Sequence, residues 1–340
     1  MAVGKISDRF FSERVRPHLG ARRNDVIVGP HLGTDAAVID QGNGRVMVVA
    51  EDPIFLVPGV TIDDFGWYTV HIGASDVAVT GVVPSHMTYS LLLPPDTGEE
   101  TIAEIVRAVS DTAKELGIAI VGGHTGYAPV VVAPTIGGIT VFGWGDRYAS
   151  PAGAREGDDL LITKGPAIEA AGILARQYRE ELLAGGVAPH LVARAAAHIR
   201  SMSVVQDALT AFAAGEVHAM HDATEGGLVR GSYEMAESAA IGLRVERDAI
   251  VVPEEIAAVC SFLNIDPLHS ISEGTLVAAV QPDSTAAVLG RLHEAGIPAW
   301  KIGRFTARSA GIKFTDGEEI RPAAEDPFWN VFFAKLAAQG

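Results

Sequence analysis

The sequence predicts a two-domain protein of mixed α/β class, in the α+β arrangement and not as a doubly wound sheet. Three observations predict it. The chain has 340 residues, which exceeds one ordinary core and suits two domains of about 150 to 190 residues each. Strand-like and helical segments are mixed in both halves without strict βαβ alternation, so strand and helix layers of similar size fit best. Between the halves, Ser150–Asp159 reads SPAGAREGDD, a small, polar, turn-forming stretch. Domains are expected at 1–152 and 153–340.

In the first half, Val26–Val28, Ala36–Ile39 and Val46–Ala50 are β-branched runs separated by Gly, Asn and Pro, and read as strands. A helix is expected over 63–81, with Asp63 and Asp64 in its first turn and Gly81 and Pro84 at its end. His86–Leu93 is a strand closed by Pro94 and Pro95. Glu99–Leu116 has helical periodicity through Ile102, Ile105, Val106, Val109, Ala113 and Leu116. Ile118–Val121 reads as a short buried strand, and Val130–Trp144 is rich in β-formers. The second half restarts with a strand at Leu160–Thr163 and an Ala-rich helix at Ile168–Gln177. A long helical region at Pro189–Ala214 follows, then a helix opening at the 221–227 motif, alternating segments to 315, and a C-terminal helix at Asp326–Gln339.

Hydrophobic residues are 48% and charged residues 20% of the chain, which supplies apolar material for two cores. The formal net charge of −16 argues against nucleic acid or an anionic membrane as partner. It leaves ATP open, because bound magnesium and local backbone N–H groups reach phosphate whatever the global charge. The one cysteine, Cys260, rules out an intramolecular disulfide and a cysteine-rich zinc site. Its apolar surroundings, Ile256 to Leu263, suit a buried structural thiol. The start, MAVGKISDRFF, has no long apolar run, and no apolar stretch of about 18 residues occurs, so no signal peptide or membrane span is expected and a cytoplasmic location is. The GxxxxGK[ST] loop, GxGxxG, HExxH and GxSxG are all missing from the sequence. A nucleotide would therefore be held by carboxylate–magnesium bridges.

Three carboxylates stand where burial is expected. Asp35 follows Gly33 and Thr34 in GTDAAVID, Asp52 ends the apolar run MVVAEDPIF, and Asp76 interrupts HIGASDVAVTG. A buried carboxylate without a partner is costly, and convergence on Mg²⁺ would relieve all three. Taken singly they also suit an Asx turn, a strand-end turn and a partner for a core arginine or a helix cap. Gly122-Gly123-His124-Thr125 offers close backbone approach plus two polar side chains, and His124 has a pKa suited to proton transfer; a tight turn explains it equally well. His221–Gly227, HDATEGG, opens a helix that Asp222 or Thr224 would cap, and a helix N-terminus is also an anion site. Lys164, in LLITKGPAIEAAG, either faces a phosphate or is an exposed strand-end lysine.

In order along the chain, GTDAAV, AEDP, ASDVAVTGVVP, IVGGHT, LLITKG, HDATEGGL and ISEGT resemble the AIR synthase-like superfamily over nearly the whole length. That group includes AIR synthase, thiamine-monophosphate kinase, selenophosphate synthetase and the hydrogenase-maturation protein HypE. The resemblance implies an N-terminal domain that dimerises through its sheet into a barrel, and a C-terminal α+β domain over a cleft that takes ATP and Mg²⁺. It implies Asp35, Asp52 and Asp76 as metal and nucleotide carboxylates, Lys5 as a phosphate contact, and Asp222 near the acceptor. The wording is nearest HypE, in HDATEGGL and in Asp266-Pro267-Leu268 followed by SEGT. HypE acts on its own C-terminal cysteine, whereas this sequence ends Lys335-Leu336-Ala337-Ala338-Gln339-Gly340, so self-modification is not expected. His124 stands where thiamine-monophosphate kinase carries an acid in GGDT, and histidine is a poorer Mg²⁺ ligand. GGHT is nearer selenophosphate synthetase, but that enzyme has a cysteine or selenocysteine near its N-terminus and none lies near residue 5. The expected activity is ATP-dependent phosphoryl transfer to an amide- or carbamoyl-type oxygen on a small-molecule or protein-borne acceptor, with His124 and Asp222 as catalytic groups. The alternatives are a non-catalytic nucleotide-binding maturation scaffold and a thiamine-phosphate-kinase-like activity.

Overall fold

The computed structural model describes residues 4–339. Its elements are α1 (Asp8–Phe10), β1 (Val26–Val28), β2 (Ala37–Gly42), β3 (Arg45–Phe55), α2 (Ile62–Ala78), β4 (His86–Leu93), α3 (Glu99–Glu115), β5 (Ala119–Tyr127) and β6 (Thr135–Gly145). After the turn-forming stretch come β7 (Asp159–Thr163), α4 (Ile168–Gln177), α5 (Arg179–Ala184), α6 (Pro189–Ala197), α7 (Val205–Ala214), β8 (Val217–Asp222) and α8 (Gly227–Ser238). The chain closes with β9 (Gly242–Val245), α9 (Glu254–Leu263), β10 (Leu276–Val280), α10 (Pro282–Glu294), β11 (Ala299–Thr306), β12 (Ile312–Phe314) and α11 (Pro327–Gln339).

Two six-stranded mixed sheets result, with orders β1-β2-β3-β6-β4-β5 and β12-β9-β11-β7-β10-β8. No strand passes from one sheet to the other, and the 146–158 stretch separates them. Strand β4 alternates buried and partly exposed residues along its length, the pattern of a strand with one face on the core. Helices α2 and α3 cover that face. The Thr61 hydroxyl caps α2 by accepting from Asp64 N–H. One apolar cluster runs from the first sheet through α2 (Phe65, Tyr68, Val77) into α4, α6, α7, α9 and α11 of the second half. A second cluster, around Leu228, Met235, Ile302 and Phe305, fills the other face of the second sheet. Among the described residues no helix is long and apolar enough to cross a membrane.

The long helical region expected at Pro189–Ala214 is broken into α6, a 3₁₀ turn at His198–Ser201 and α7. Arg200 in that turn reaches Asp63 and Asp64 of α2, a tertiary pull that helical periodicity does not register. Of the short buried strand expected at Ile118–Val121, Ile118 is buried but precedes the strand, and from Ala119 on the residues belong to β5, which runs through GGHT to Tyr127 as the edge of its sheet and is largely exposed.

Candidate functional site

The floor of the site is a set of acids delivered by separate elements. Asp52 lies on β3, where pairing with β6 is irregular between Asp52 and Ile54, because Pro53 has no N–H to give the ladder. Asp76 lies in the last turn of α2, the negative end of the helix dipole, where a carboxylate opposes the field. Asp35 follows Gly33 (φ +69), whose missing side chain lets the loop lie against α8: a Cβ there would meet Ser238 Oγ at 2.9 Å and Glu234 Cβ at 3.0 Å. Asp222 ends β8 and is 1% exposed, yet among the described residues neither carboxylate oxygen has a hydrogen-bond donor. The expected metal carboxylates Asp35, Asp52 and Asp76 thus share one electrostatic neighbourhood with Asp222.

Burial and mutual repulsion raise these groups together. Burial is the largest effect on Asp35, which His221 partly offsets and Asp222 reinforces, leaving it at about 6. Asp76 stands well above its usual range, through burial and then through Asp52, Asp222 and Asp35. Burial also raises Asp52 and Asp222. Groups of this kind hold a cation or a proton. Asp35, His221 and Asp222 present ligand atoms within 4.8 Å of one another.

His221 is a site residue that the HDATEGGL pattern does not single out. Its Nδ1 is 2.7 Å from Asp35 Oδ2, and its Nε2 is 3.2 Å from Glu234 Oε2. Burial alone would lower its pKa, but Asp35 and Glu234 outweigh burial and raise it well above the usual value. Glu234 in turn receives Arg230 Nε at 2.7 Å, an i,i+4 pair on α8. Burial tends to raise Glu234, and His221 and Arg230 carry it down to about 2. Arg230 also pairs with Asp8. The chain Asp35–His221–Glu234–Arg230–Asp8 therefore ties the N-terminal segment to the second domain.

Lys5 lies in that segment. Its ammonium donates to Thr224 Oγ1 at 3.1 Å, and its backbone N–H meets the Glu225 carboxylate at 2.9 and 3.0 Å. Desolvation would lower its pKa, but Glu234, Asp35, Asp222 and Asp76 together raise it. Beside it opens a cavity of about 410 Å³, lined by Gly33, Thr34, Asp35, His221 and Arg230 and by apolar Ile6, Phe11 and Leu32. Thr34 turns its hydroxyl to His31, 2.7 Å away.

Several expected residues stand elsewhere. Asp222 does not cap α8. That helix begins at Gly227 without a side-chain cap, and Gly226 N–H goes to Asp326 Oδ2 at 2.7 Å. Lys164 does not reach the cluster, because its ammonium is already engaged by Asp207 and the Ser203 carbonyl, both at 2.7 Å. Gly122, Gly123, His124 and Thr125 lie on β5, three strands from β3 in the sheet order, roughly 14 Å at ordinary strand spacing. Within one chain they do not meet the aspartates. Gly123 has φ +145 and a Cβ there would strike the Tyr89 carbonyl at 2.1 Å, so this glycine serves strand pairing. Glu169 and Glu273 join the site although neither was singled out from the sequence: Glu273 N–H donates to Glu169 Oε2 at 3.2 Å, and burial, followed by the Asp222 and Glu169 charges, holds the Glu273 carboxyl well above its usual range. Burial raises Glu169 to about 8, against the pull of the Glu273 N–H.

With this geometry in view, the comparisons are decisive about the family. The N-terminal domain of AIR synthase related protein matches residues 33–144, and its C-terminal domain matches residues 155–314. The chain belongs to the AIR synthase related family. It is similar to the carbamoyl dehydratase HypE of Rhizobium leguminosarum (28% identical, covering 81% of this chain and 77% of that one). It is also similar to HypE of Escherichia coli (30% identical, covering 71% and 68%). The structure of hydrogenase maturation protein HypE in complex with ATP superposes with a TM-score of 0.68, at 24% identity over 96% of this chain and 97% of that one. The two-domain AIR synthase related fold and the likeness to HypE expected from the ordered motifs are thereby established.

Proposed function

We propose that this protein is an ATP- and Mg²⁺-dependent phosphoryl-transfer enzyme that activates an amide- or carbamoyl-type oxygen. The observation that carries the reading is that Asp35 and Asp222 present carboxylate oxygens within 4.8 Å of each other, in one electrostatic neighbourhood with Asp52 and Asp76, and that both Asp222 oxygens are buried and, among the described residues, undonated. Oxygen ligands of this kind fit magnesium, and Asp35, Asp52, Asp76 and Asp222 would hold it. When bound, the ion neutralises charge on the nucleotide phosphates, the main requirement of phosphoryl transfer. Lys5, beside the cavity, supplies a positive charge for a terminal phosphate. His221, fixed between Asp35 and Glu234, orients the Asp35 carboxylate. The HypE relatives are carbamoyl dehydratases, which supports the acceptor class, and the ATP complex of one HypE supports the nucleotide. Cys260 is buried, and burial pushes its thiol up to about 12, so it is no acceptor carrier, and the acceptor is read as a small molecule or a group borne by a partner protein. The exposed edge β5, with apolar Ile120, Val121 and Tyr127, is read as the seam of a homodimer, which also puts His124 at the interface.

Titration calorimetry of Mg²⁺–ATP tests the first part. Asp76→Asn is expected to weaken binding by about ten-fold or more, a loss of about 1.4 kcal/mol. Equal affinity would remove the aspartates from the site. ADP release that rises on adding carbamoyl compounds supports the enzyme, whereas nucleotide binding without turnover points to a maturation scaffold.

A further inference from the structure

The turn that receives Lys5 is tethered to the C-terminal helix through one carboxylate. Asp326 immediately precedes α11 and is 3% exposed. Its Oδ1 accepts Phe328 N–H at 2.9 Å, the N-cap bond of α11, with Pro327 at the first helical position. Its Oδ2 accepts Gly226 N–H at 2.7 Å. Gly226 stands at the start of α8, which has no side-chain cap from its own N-cap residue. One aspartate therefore serves the N-terminal ends of two helices. We propose that Asp326 is a positioning residue that holds the Thr224–Glu225–Gly226 turn, and through it Lys5, in place at the site. The inference rests on the reading of Lys5 as the phosphate contact.

Lys5 meets this turn on both sides of Gly226's tether: its N–H donates to the Glu225 carboxylate at 2.9 and 3.0 Å, and its ammonium donates to Thr224 Oγ1 at 3.1 Å. A shift of the turn therefore carries Lys5 with it. The turn needs an outside anchor, because Gly226 and Gly227 are both left-handed, at φ +82 and +63, a conformation that glycine tolerates but does not enforce. The anchor itself is firm. Phe328 and Phe332 of α11 are 1% and 2% exposed within the main apolar cluster, and the Tyr178 hydroxyl donates to the Val331 carbonyl at 2.8 Å. Lys335, near the far end of α11, pairs with Glu181 of α5. A carboxylate accepting a backbone N–H is a strong bond, and Gly226 is buried, so losing the acceptor leaves its N–H at a cost. Lys5, Glu225, Gly226 and Asp326 also line one cavity of about 610 Å³, which shares Lys5 and Arg230 with the cavity beside Asp35. The tether thus lies along open space at the site and not in the depth of a core.

Asp326→Ser tests the tether. Serine caps α11 as aspartate does, but its one short hydroxyl cannot also reach Gly226. Hydrogen exchange of the full chain without nucleotide reads the result at the Lys5 amide, where exchange is expected to rise about ten-fold or more while β4 keeps its wild-type protection. Unchanged exchange at Lys5 overturns the proposal. An equal rise in β4 assigns Asp326 to fold stability alone and overturns it too. In Mg²⁺–ATP calorimetry, Asp326→Ser and Lys5→Ala are each expected to weaken binding, and the double variant to bind no more weakly than Lys5→Ala. Additive losses overturn the route through Lys5. Lys5→Ala with wild-type affinity refutes the phosphate contact and not the tether, which the exchange measurement decides without nucleotide. Should Asp326→Ser fail to fold, the near-isosteric Asp326→Asn still leaves one acceptor oxygen for two N–H donors. A smaller rise at Lys5 is then expected, and unchanged exchange again overturns the proposal.

Discussion

An acid whose folded pKa lies above its unfolded value is protonated more readily in the native state, so raising the pH costs stability. Glu169, raised from 4.5 to about 8, and Asp35, raised from 3.8 to about 6, are both of this kind. Their contribution is fully present at low pH and is lost as pH climbs between about 4 and 8. His221, also raised, is lost in the same direction. Glu234, lowered to about 2, works oppositely, but its stabilisation disappears only below pH 4.5. In EDTA the protein is therefore expected to unfold in less urea at pH 8 than at pH 5.5. The difference is on the order of 3 kcal/mol, and Mg²⁺ should shrink it. A stability that is flat between these pH values in EDTA would contradict the assignment.

At the scale of elements, α2 joins the two domains through its first turn. Asp64 is buried and takes Arg200 Nε at 2.5 Å and Arg176 at 3.2 Å, while Arg200 also reaches Asp63. Arg200 comes from the 3₁₀ turn between α6 and α7, and Arg176 from α4. Removing the carboxylate leaves one partly buried guanidinium short of its partner. Asp64→Ala is expected to cost about 1–3 kcal/mol in urea denaturation. The two domains would then separate more readily, and limited proteolysis should cut first at the 146–158 stretch. A loss below a few tenths of a kcal/mol would show the clamp to be ornamental. The same helix carries Asp76 at its unfavourable end, so its two ends serve different purposes: the first turn holds the domains, and the last turn serves the site.

At the scale of the whole molecule, the β5 edge of the first sheet stands open. Strand β5 shows 40% of Ile120, 55% of Val121 and 54% of Tyr127 to solvent, an unblunted apolar edge of the kind that pairs with another chain. If it is the dimer seam, Val121→Asp should shift the sedimentation profile from dimer to monomer at micromolar concentration. An unchanged profile would move the interface elsewhere.

The sequence by itself determined the elements and the order of the motifs. Period-2 and period-3.6 patterns located β4, α3 and α4 to within a residue or two, and GTDAAV, AEDP and ASDVAV marked Asp35, Asp52 and Asp76, because an acid inside an apolar run is visible along the chain. Partnership was not visible. His221 next to Asp222 and Glu273 inside SEGT were on the page as letters. What unites them is β8–β10 pairing and the docking of α4, contacts between residues about 50 to 100 positions apart. In the sequence Lys164 suits a phosphate contact or a strand-end cation, but folding gives it to Asp207, and GGHT suits a ligand loop or a tight turn, but sheet order places it on an edge strand. Local pattern reports which side chains are out of place in a core. Only tertiary structure decides which of them meet, since charge is neutralised by distance in space and not by distance along the chain.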